Sequence, residues 1–215
     1  MAVKKKQTEA GTIQLTRLED AMIEIPIIGL TPYIPHKWSE KSIGMMPGHP
    51  DREKVKAVKG PRTPKEEADA CLYTIGDQTA APATAFKAAL VDACRFFAEP
   101  SMVEAKQILF VEGEEVDGDQ LVPIKCKTKV LREDTPRNAN GNADLRYRYA
   151  LIGWSALVRV RYVPSRITGE SIVALVDAAG RGGIGDWRPS APKSKTGTYG
   201  TWRVDPKGAV KNVKV

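Results

Sequence analysis

The chain has 215 residues, of which 42% are hydrophobic and 27% charged, and its formal net charge at pH 7 is +7. These values are typical of a globular domain with room for large insertions. No apolar run is long enough for a helix that crosses a bilayer. The basic start MAVKKKQTEAGT lacks the apolar stretch of a signal peptide.

The first third of the chain predicts one strand followed by an insertion. Apolar positions alternate and then become continuous in Thr12–Gly29, which predicts a long or broken strand with Pro26 at a bulge or an edge. Residues 30–68 contain recurring prolines and glycines and show no hydrophobic period. We predict that they form an insertion outside the core.

The next segment predicts a short strand and a helix. Ala70–Ile75 is the strand candidate. In Thr84–Phe97 apolar residues recur at intervals of three and four, which is typical of an amphipathic helix, and Thr84 can cap its start. The apolar stripe of this helix requires a sheet to pack on.

Two strands and two irregular segments follow in the middle of the chain. Ala105–Val111 predicts a strand, and residues 121–130 predict another after the acidic turn EGEEVDGDQ. Residues 132–149 are rich in Asn, Gly and Arg and predict a loop.

The clearest strand is Trp154–Val163, in which apolar residues alternate with Arg159 and Arg161. A helix begins near Thr168 or Gly169 and stops at Gly180. The glycine-rich segment that follows ends in a short strand, TYGTWRV.

The order of these elements is strand, insertion, helix, strand, insertion, strand, helix, strand. It is the order of an RRM-like or ferredoxin-like fold. We therefore predict an α+β protein with an antiparallel sheet and two helices. Residues 11–204 form the single domain, with insertions at about 30–68 and 112–150, and the basic tails are residues 1–10 and 205–215.

The residues that usually carry catalysis or bind metals are scarce. Cys71, Cys94 and Cys126 are far apart and odd in number, which provides neither a disulfide framework nor a metal-binding pair and fits a reducing cytoplasm. The two histidines, His36 and His49, lie in the insertion without metal-ligand spacing. The segment GRGGIG follows a helix instead of a strand, so it does not predict a dinucleotide site. We expect no metal, no cofactor and no enzymatic activity.

Basic residues are clustered by segment. Residues 125–166 hold ten Lys or Arg against three acidic residues, and residues 181–215 hold eight against two. Such clusters favour a surface that faces a polyanion, although a solvated basic surface would look the same.

The basic clusters coincide with aromatic residues and glycines, which are the components of a site for single-stranded nucleic acid. Cations bind the phosphates, aromatic rings stack on bases, and glycine N–H groups can bond to phosphate oxygens. For each tryptophan, packing in the core is an equally good interpretation. The candidate phosphate contacts are Lys125, Lys127, Lys129, Arg146, Arg148, Arg159, Arg161, Arg181 and Arg188, and the candidate stacking residues are Trp187, Tyr199 and Trp202.

Several motifs resemble those of known families. PATAFKAALVDACRF resembles the first helix of RAMP-superfamily proteins, and GRGGIGDWRP with TGTYGTWRV resembles their glycine-rich loop and last strand. This superfamily includes the backbone subunits of CRISPR effector complexes, so the resemblance implies an RRM-like core with an inserted thumb and polymerisation along RNA. No position here matches their catalytic acid.

RLEDAMIEIPIIGLTPYIPHKWSEK, AFKAALVDA, ADLRYRY and GIGDWRP are similar to segments of bacteriophage-encoded proteins of unassigned function, over Thr16–Val204. This resemblance implies a phage protein, acting in the infected bacterial host, that coats RNA or single-stranded DNA.

Three functions remain open. The first is a non-catalytic protein that binds single-stranded RNA or DNA and forms a homo-oligomer along the strand. The second is a structural protein that assembles with itself or with a host protein. The third is a metal-independent endoribonuclease of the RAMP type, with His36 or Tyr33 as the acid–base group.

Overall fold

The structure is a computed structural model that describes residues 17–44, 46–57, 63–136, 143, 145–192 and 195–214. The predicted basic tail at residues 1–10 lies outside this part of the chain. No helix within it is long and apolar enough to cross a membrane.

The helices are α1 (Glu40–Gly44), α2 (Arg52–Ala57), α3 (Pro64–Asp69), α4 (Ala83–Ala93), α5 (Met102–Ile108) and α6 (Gly169–Ala179). The strands are β1 (Ala21–Gly29), β2 (Tyr73–Ile75), β3 (Gln78–Pro82), β4 (Leu109–Glu112), β5 (Glu114–Val116), β6 (Asp119–Lys125), β7 (Thr128–Asp134), β8 (Arg146–Ile152), β9 (Ser155–Tyr162), β10 (Trp202–Val204) and β11 (Lys211–Val213).

The central sheet confirms the predicted fold class. β1 pairs with β9 on one side and with β10 on the other, and the far side of β9 pairs with β4. All of these pairs are antiparallel, so the order is β10-β1-β9-β4. With α4 between β1 and β4 and α6 between β9 and β10, this is the βαββαβ arrangement of a ferredoxin-like domain.

The alternation predicted for the last long strand holds in the structure. Val158 and Val160 of β9 are buried, as are Ile23 and Ile25 of β1. Because the side-chain period of a strand is two, these residues share the face that α4 and α6 cover. Arg159 and Arg161, which alternate with these valines, lie on the open face of the sheet.

Aromatic residues fill the space between the sheet and the helices. The ring of Trp202 lies 5.6 Å from that of Phe86 and 6.3 Å from that of Trp154. Both indole N–H groups donate to backbone carbonyls, that of Trp154 to Thr31 and that of Trp202 to Val176. The core therefore accommodates two tryptophans without leaving their polar atoms unpaired.

Pro26 lies inside β1, which is not an edge strand. On one side of β1, the pairing with β10 covers Ile27–Gly29 and the pairing with β11 covers Met22–Glu24. Pro26 falls between the two, where the chain loops away and Asp205 donates its N–H to the Pro26 carbonyl. A residue without an N–H is accommodated there because the ladder is interrupted.

The strand predicted at Ala105–Val111 is wrong in its first half. Residues 102–108 form α5, and only Leu109–Glu112 is a strand. The hydroxyl oxygen of Ser101 accepts a hydrogen bond from the N–H of Glu104. This helix cap outweighs the strand propensity of the apolar residues that follow.

The loop predicted at residues 132–149 is wrong at both of its ends, because β7 and β8 form a hairpin there, and residues 137–142 and 144 lie outside the described part of the chain. Its register runs from Thr128 opposite Ile152 to Asp134 opposite Arg146. The two strands make a separate sheet, and β8 is largely buried.

Part of the 30–68 segment, which we predicted to lie outside the core, is buried. Tyr33 and Ile34 are both fully covered. Tyr33 forms a β-bridge to Leu151 of β8, with backbone hydrogen bonds in both directions. The insertion therefore begins as a structural link between the central sheet and the hairpin.

The predicted basic C-terminal tail contains a strand. β11 pairs with the first half of β1, with Asn212 opposite Ile23. Of the strand predicted at Ala70–Ile75, only Tyr73–Ile75 is a strand, β2, and it forms a hairpin with β3 across a turn at Gly76.

We expect Gly200→Ala to lower the free energy of unfolding by about 3 kcal/mol, measured by urea denaturation. Gly200 has a φ of 69°, and an added Cβ would lie 1.9 Å from the carbonyl oxygen of Ile184. The left-handed backbone and the collision each destabilise the variant. The matched control is Gly76→Ala, also at positive φ but with no atom within 4 Å of the Cβ. It should cost only about 1 kcal/mol; equal losses at both sites would contradict the packing described here.

Candidate nucleic-acid interface

The backbone of the glycine-rich segment is already hydrogen-bonded within the protein. The N–H groups of Gly182 and Gly183 donate to the carbonyl of Ala179, and that of Gly200 donates to the carbonyl of Pro32. A Cβ at Gly185 would lie 2.4 Å from the Ile34 oxygen and 2.7 Å from the ring of Tyr33. These N–H groups are thus not available for phosphates, which corrects that part of the prediction, and side chains form the surface.

Asp186 lies at the centre of a group of charged residues beneath the glycine-rich segment. One carboxylate oxygen lies 3.0 Å from Nδ1 of His36, and the other lies 3.1 Å from Nε of Arg148. Burial by itself would raise the pKa of Asp186, but the hydrogen bond with His36 and the charge of Arg148 outweigh it and lower the pKa. The carboxylate is therefore ionised at neutral pH.

Arg148 is 4% exposed and cannot reach a phosphate, which corrects its predicted role. Its Nε and Nη1 atoms make no hydrogen bond of good geometry with the described residues, although Asp186 is close. A buried guanidinium held by charge alone is costly unless a counter-ion stays beside it. Arg148 therefore constrains the position of Asp186.

Trp187 lies next to Asp186 and is partly exposed. It has a φ of 53°, which is unusual for a residue with a side chain. Its ring centre lies 5.6 Å from the guanidinium of Arg148 and 6.0 Å from that of Arg132. Tyr199 meets the ring edge-on at 6.4 Å. We call Arg132, Arg148, Trp187 and Tyr199 the cation–aromatic cluster.

Arg132 is the member of this cluster that the sequence prediction missed. It donates two hydrogen bonds to the Asp134 carboxylate, which raise the pKa of Arg132 above its ordinary value, and one of 2.8 Å to the Tyr199 hydroxyl. The sequence prediction assigned Arg132 to a loop, so its pairing with β8 was not expected. In the hairpin, Arg132 is paired with Arg148, so both point to the glycine-rich segment.

Arg146 and Arg188 flank the cluster and are partly exposed. Arg146 shares the face of Arg148, two residues away on β8. Arg188 donates to the Gly185 carbonyl and to the Ser190 hydroxyl. These two bonds orient the Arg188 side chain beside Trp187.

The arginines of the open sheet face are paired with carboxylates. Arg159 bonds to Glu24 at 2.8 Å, and Arg161 bonds to Asp20 at 2.9 Å and to Glu112 at 2.6 Å. Lys125 shares this face, in a cavity of about 420 Å³. The charges of Arg159 and Arg161 are thus already balanced by carboxylates.

The remaining predicted cations lie on other surfaces. Lys129 points away from the cluster, with its ammonium 4.6 Å from the ring centre of Tyr149. Lys127 lies against Gly153 at the end of the hairpin opposite to its turn. Arg181 is exposed just beyond α6. The structure therefore does not bring the predicted cations onto one surface.

Trp202 is 2% exposed, so its predicted stacking on a base would require the core to open. A different tryptophan is accessible. Trp38 is 54% exposed, and its ring stacks on that of His36 with centres 5.9 Å apart. No periodicity in the insertion indicated that Trp38 would lie beside the glycine-rich segment.

A cavity of about 250 Å³ lies between the glycine-rich segment and α4. His36, Asp186 and Arg188 line its polar side, and Tyr33 and Tyr73 line another part of its wall. Burial strongly raises the pKa of the Tyr33 hydroxyl, which therefore stays protonated.

Comparison with known proteins gives a likeness of fold. No protein-family model matches the chain, and no curated protein does. Forty-five chains of solved structures match. One belongs to the cryo-EM structure of the type III-B Cmr-beta bound to cognate target RNA, with a TM-score of 0.50 and 11% identity. The match covers 91% of this chain and 61% of that chain, so the present chain spans about three fifths of its length. At this identity the match shows a shared α+β fold.

We expect Asp186→Asn to lower the free energy of unfolding at pH 7 by about 3 kcal/mol, because it leaves Arg148 buried without a counter-charge. The carboxylate has a lowered pKa in the folded state. Its stabilising contribution is thus complete at neutral pH and is lost below about pH 4, the range of an unfolded Asp. The gap between wild type and variant in urea denaturation should narrow as the pH falls.

The control for this comparison is Asp92→Asn, which removes a more exposed ion pair with Arg95. It should change stability by less than about 1 kcal/mol. A loss for Asp186→Asn no larger than that of the control would show that the buried pair does not stabilise the fold.

Proposed function

We propose that this protein binds single-stranded RNA or DNA through the cation–aromatic cluster and the arginines beside it, without catalysing a reaction. The observation that carries the proposal is the setting of Trp187. Its partly exposed ring lies beside two guanidinium groups and the ring of Tyr199. Cations next to aromatic faces are the combination that single-strand-binding sites use.

Each exposed group has a separate role in the proposal. Arg146 and Arg188 bind phosphates, and Trp187 or Tyr199 stacks on a base. Arg132 is already bonded to the Asp134 carboxylate and to the Tyr199 hydroxyl, so its role is to orient Tyr199 and Trp187. Arg148 stays buried and holds Asp186. Such a site tolerates many sequences, and its affinity falls as salt rises.

The proposal moves the interface from the open sheet face to the hairpin and the glycine-rich segment. A phosphate that approached Arg159 or Arg161 would have to displace Glu24, Asp20 or Glu112. That exchange replaces one ion pair by another and yields little net free energy.

The comparison and the motifs add support of a different kind. A chain with the same fold occurs in a complex bound to target RNA. The RAMP-like motifs support assembly of several copies along a strand, and the likeness to phage proteins supports a role in the cytoplasm of an infected host. If the chain binds no nucleic acid, a structural protein that contacts itself or a host protein is the remaining candidate.

We expect Arg188→Gln and Trp187→Ala each to weaken binding to a 30-nucleotide single strand about tenfold, because they remove a phosphate contact and a stacking surface. Gel-shift titrations of nuclease-treated protein would measure this with matched RNA, single-stranded DNA and duplex DNA. Raising the salt should weaken wild-type binding steeply, and Arg188→Gln should reduce that salt dependence.

The matched control is Arg159→Gln, which removes an arginine from the open sheet face and should leave affinity within about twofold. If Arg159→Gln weakened binding as much as Arg188→Gln, the interface would be the sheet face. No binding to any of the three ligands would refute the proposed function.

A second function, metal-independent cleavage of RNA, is favoured by the pairing of His36 with Asp186. A histidine held by a carboxylate through Nδ1 has its ring oriented, so Nε2 can exchange a proton with a substrate. His36 lines the cavity of about 250 Å³ together with Arg188, which could stabilise a developing negative charge. The burial of Tyr33 disfavours it as the base.

For this second function we expect cleavage of a labelled RNA in EDTA, and a loss of at least about a hundredfold in His36→Asn. Asparagine retains a donor for Asp186, so folding should be preserved. An RNA with 2′-deoxy nucleotides serves as the control substrate and should resist cleavage. Intact RNA after prolonged incubation with wild-type protein would eliminate the enzyme.

A further inference from the structure

The outer strand of the hairpin has one unpaired edge. β7 pairs with β8, and no other strand in the described ranges pairs with it. Thr128–Leu131 and Glu133 are exposed. Val130 and Leu131 are 41% and 43% exposed, and they point to opposite faces of the hairpin.

This edge lacks two of the features that usually prevent strands from pairing between molecules, a proline and a bulge. The strand has seven residues, and its register with β8 is continuous. An exposed strand of this length with apolar side chains is a template for another strand. Of its four charged residues, Lys129 and Glu133 lie on one face and are placed symmetrically about Leu131.

We propose that β7 pairs in antiparallel fashion with β7 of a second copy, about a two-fold axis through Leu131. In this register Lys129 lies opposite Glu133 of the second copy, and the symmetry repeats the pair. Leu131 meets its own counterpart between the two ion pairs. On the other face, Val130 lies opposite Arg132, and Thr128 lies opposite Asp134.

The charge pattern favours this register over its alternatives. Opposite charges directly across an antiparallel pair stabilise it, and like charges destabilise it. A parallel pairing in register would place Lys129 beside Lys129 and Glu133 beside Glu133. An antiparallel register centred on Arg132 would place two guanidinium groups opposite each other.

The side chains that would meet across the axis lie at the surface. Lys129 is exposed, with its ammonium over the ring of Tyr149 and near Asp69, and Glu133 lies on the same face of the hairpin two residues beyond Leu131. Arg132 keeps its bonds to Asp134 and Tyr199, because the pairing places only Val130 opposite it. The dimer therefore forms without breaking the cation–aromatic cluster.

A pairing of this kind is isologous, so it closes at two copies. It buries less area than a standard protein–protein interface, and we expect a dissociation constant in the micromolar range or weaker. The two hairpins would form one four-stranded sheet with both Arg132 side chains on the same face. That last consequence rests on the proposed function, whereas the dimer itself does not.

Sedimentation velocity of nuclease-treated protein over a concentration series tests the dimer in the absence of nucleic acid. Wild type should associate, and Lys129→Glu or Glu133→Lys should each raise the dissociation constant about tenfold, because each creates like-charge pairs on both sides of the axis. An equimolar mixture of the two variants should recover association, because positions 129 and 133 then carry opposite charges across the interface. Lys106→Glu, on the exposed side of α5, is the control and should behave as wild type.

Cross-linking tests the register independently. With Cys126→Ser as background, Leu131→Cys should form a disulfide-linked dimer under a mild oxidant, because the two-fold axis brings position 131 against itself. Val130→Cys should not, because it faces Arg132. Circular dichroism would confirm that all variants fold.

The proposal is overturned if wild type stays monomeric throughout the series, or if the mixed variants associate no better than each alone. Efficient cross-linking at 130 and not at 131 would overturn the register. Any of these results leaves the nucleic-acid proposal intact, because the gel-shift measurements do not require the dimer.

Discussion

The buried charge of Arg148 is the constraint on which the surface of this protein depends. A guanidinium withdrawn from water requires a counter-charge, and Asp186 provides it. The same aspartate bonds to His36 through its side chain and to Ile34 through its backbone. One residue therefore connects the hairpin, the glycine-rich segment and the insertion, which are far apart in sequence. Trp187 takes its position from this junction because it is the next residue along the chain.

The glycine-rich segment packs closely against the rest of the protein and does not form an open loop. Its glycines allow backbone to approach backbone, as Gly200 does at Ile184 and Gly185 at Ile34. Trp187, Arg188 and Tyr199, which lie between Gly185 and Gly200, stay partly exposed. Arg159 and Arg161 on the open face of the sheet form internal ion pairs, whereas Arg188 bonds to neutral groups. The difference between the two surfaces follows from where the carboxylates lie.

The parts of the fold that the sequence predicted are those with a strong hydrophobic period. The alternation in β9 and the helical spacing in α4 and α6 identified these elements because each buries one face. β8 was missed because its surroundings are rich in Asn, Gly and Arg, and its burial depends on Tyr33, which is distant in sequence. For the site, Trp187, Arg188 and Tyr199 were predicted as neighbours because they lie in one segment. Arg132 could be found only once its pairing with β8 was known, and burial of Trp202 depends on three-dimensional packing.

The unequal burial of the four tryptophans has a spectroscopic consequence. Trp154 and Trp202 are enclosed in the core, whereas Trp38 and Trp187 retain contact with solvent beside the glycine-rich segment. Indoles in an apolar environment emit at shorter wavelengths than indoles in water, and only the latter are accessible to a soluble quencher such as iodide. The quenchable, red-shifted part of the intrinsic fluorescence therefore originates from the two rings that border Asp186. The fluorescence of Trp38 and Trp187 therefore reports on the surface beside Asp186, and that of Trp154 and Trp202 reports on folding of the core.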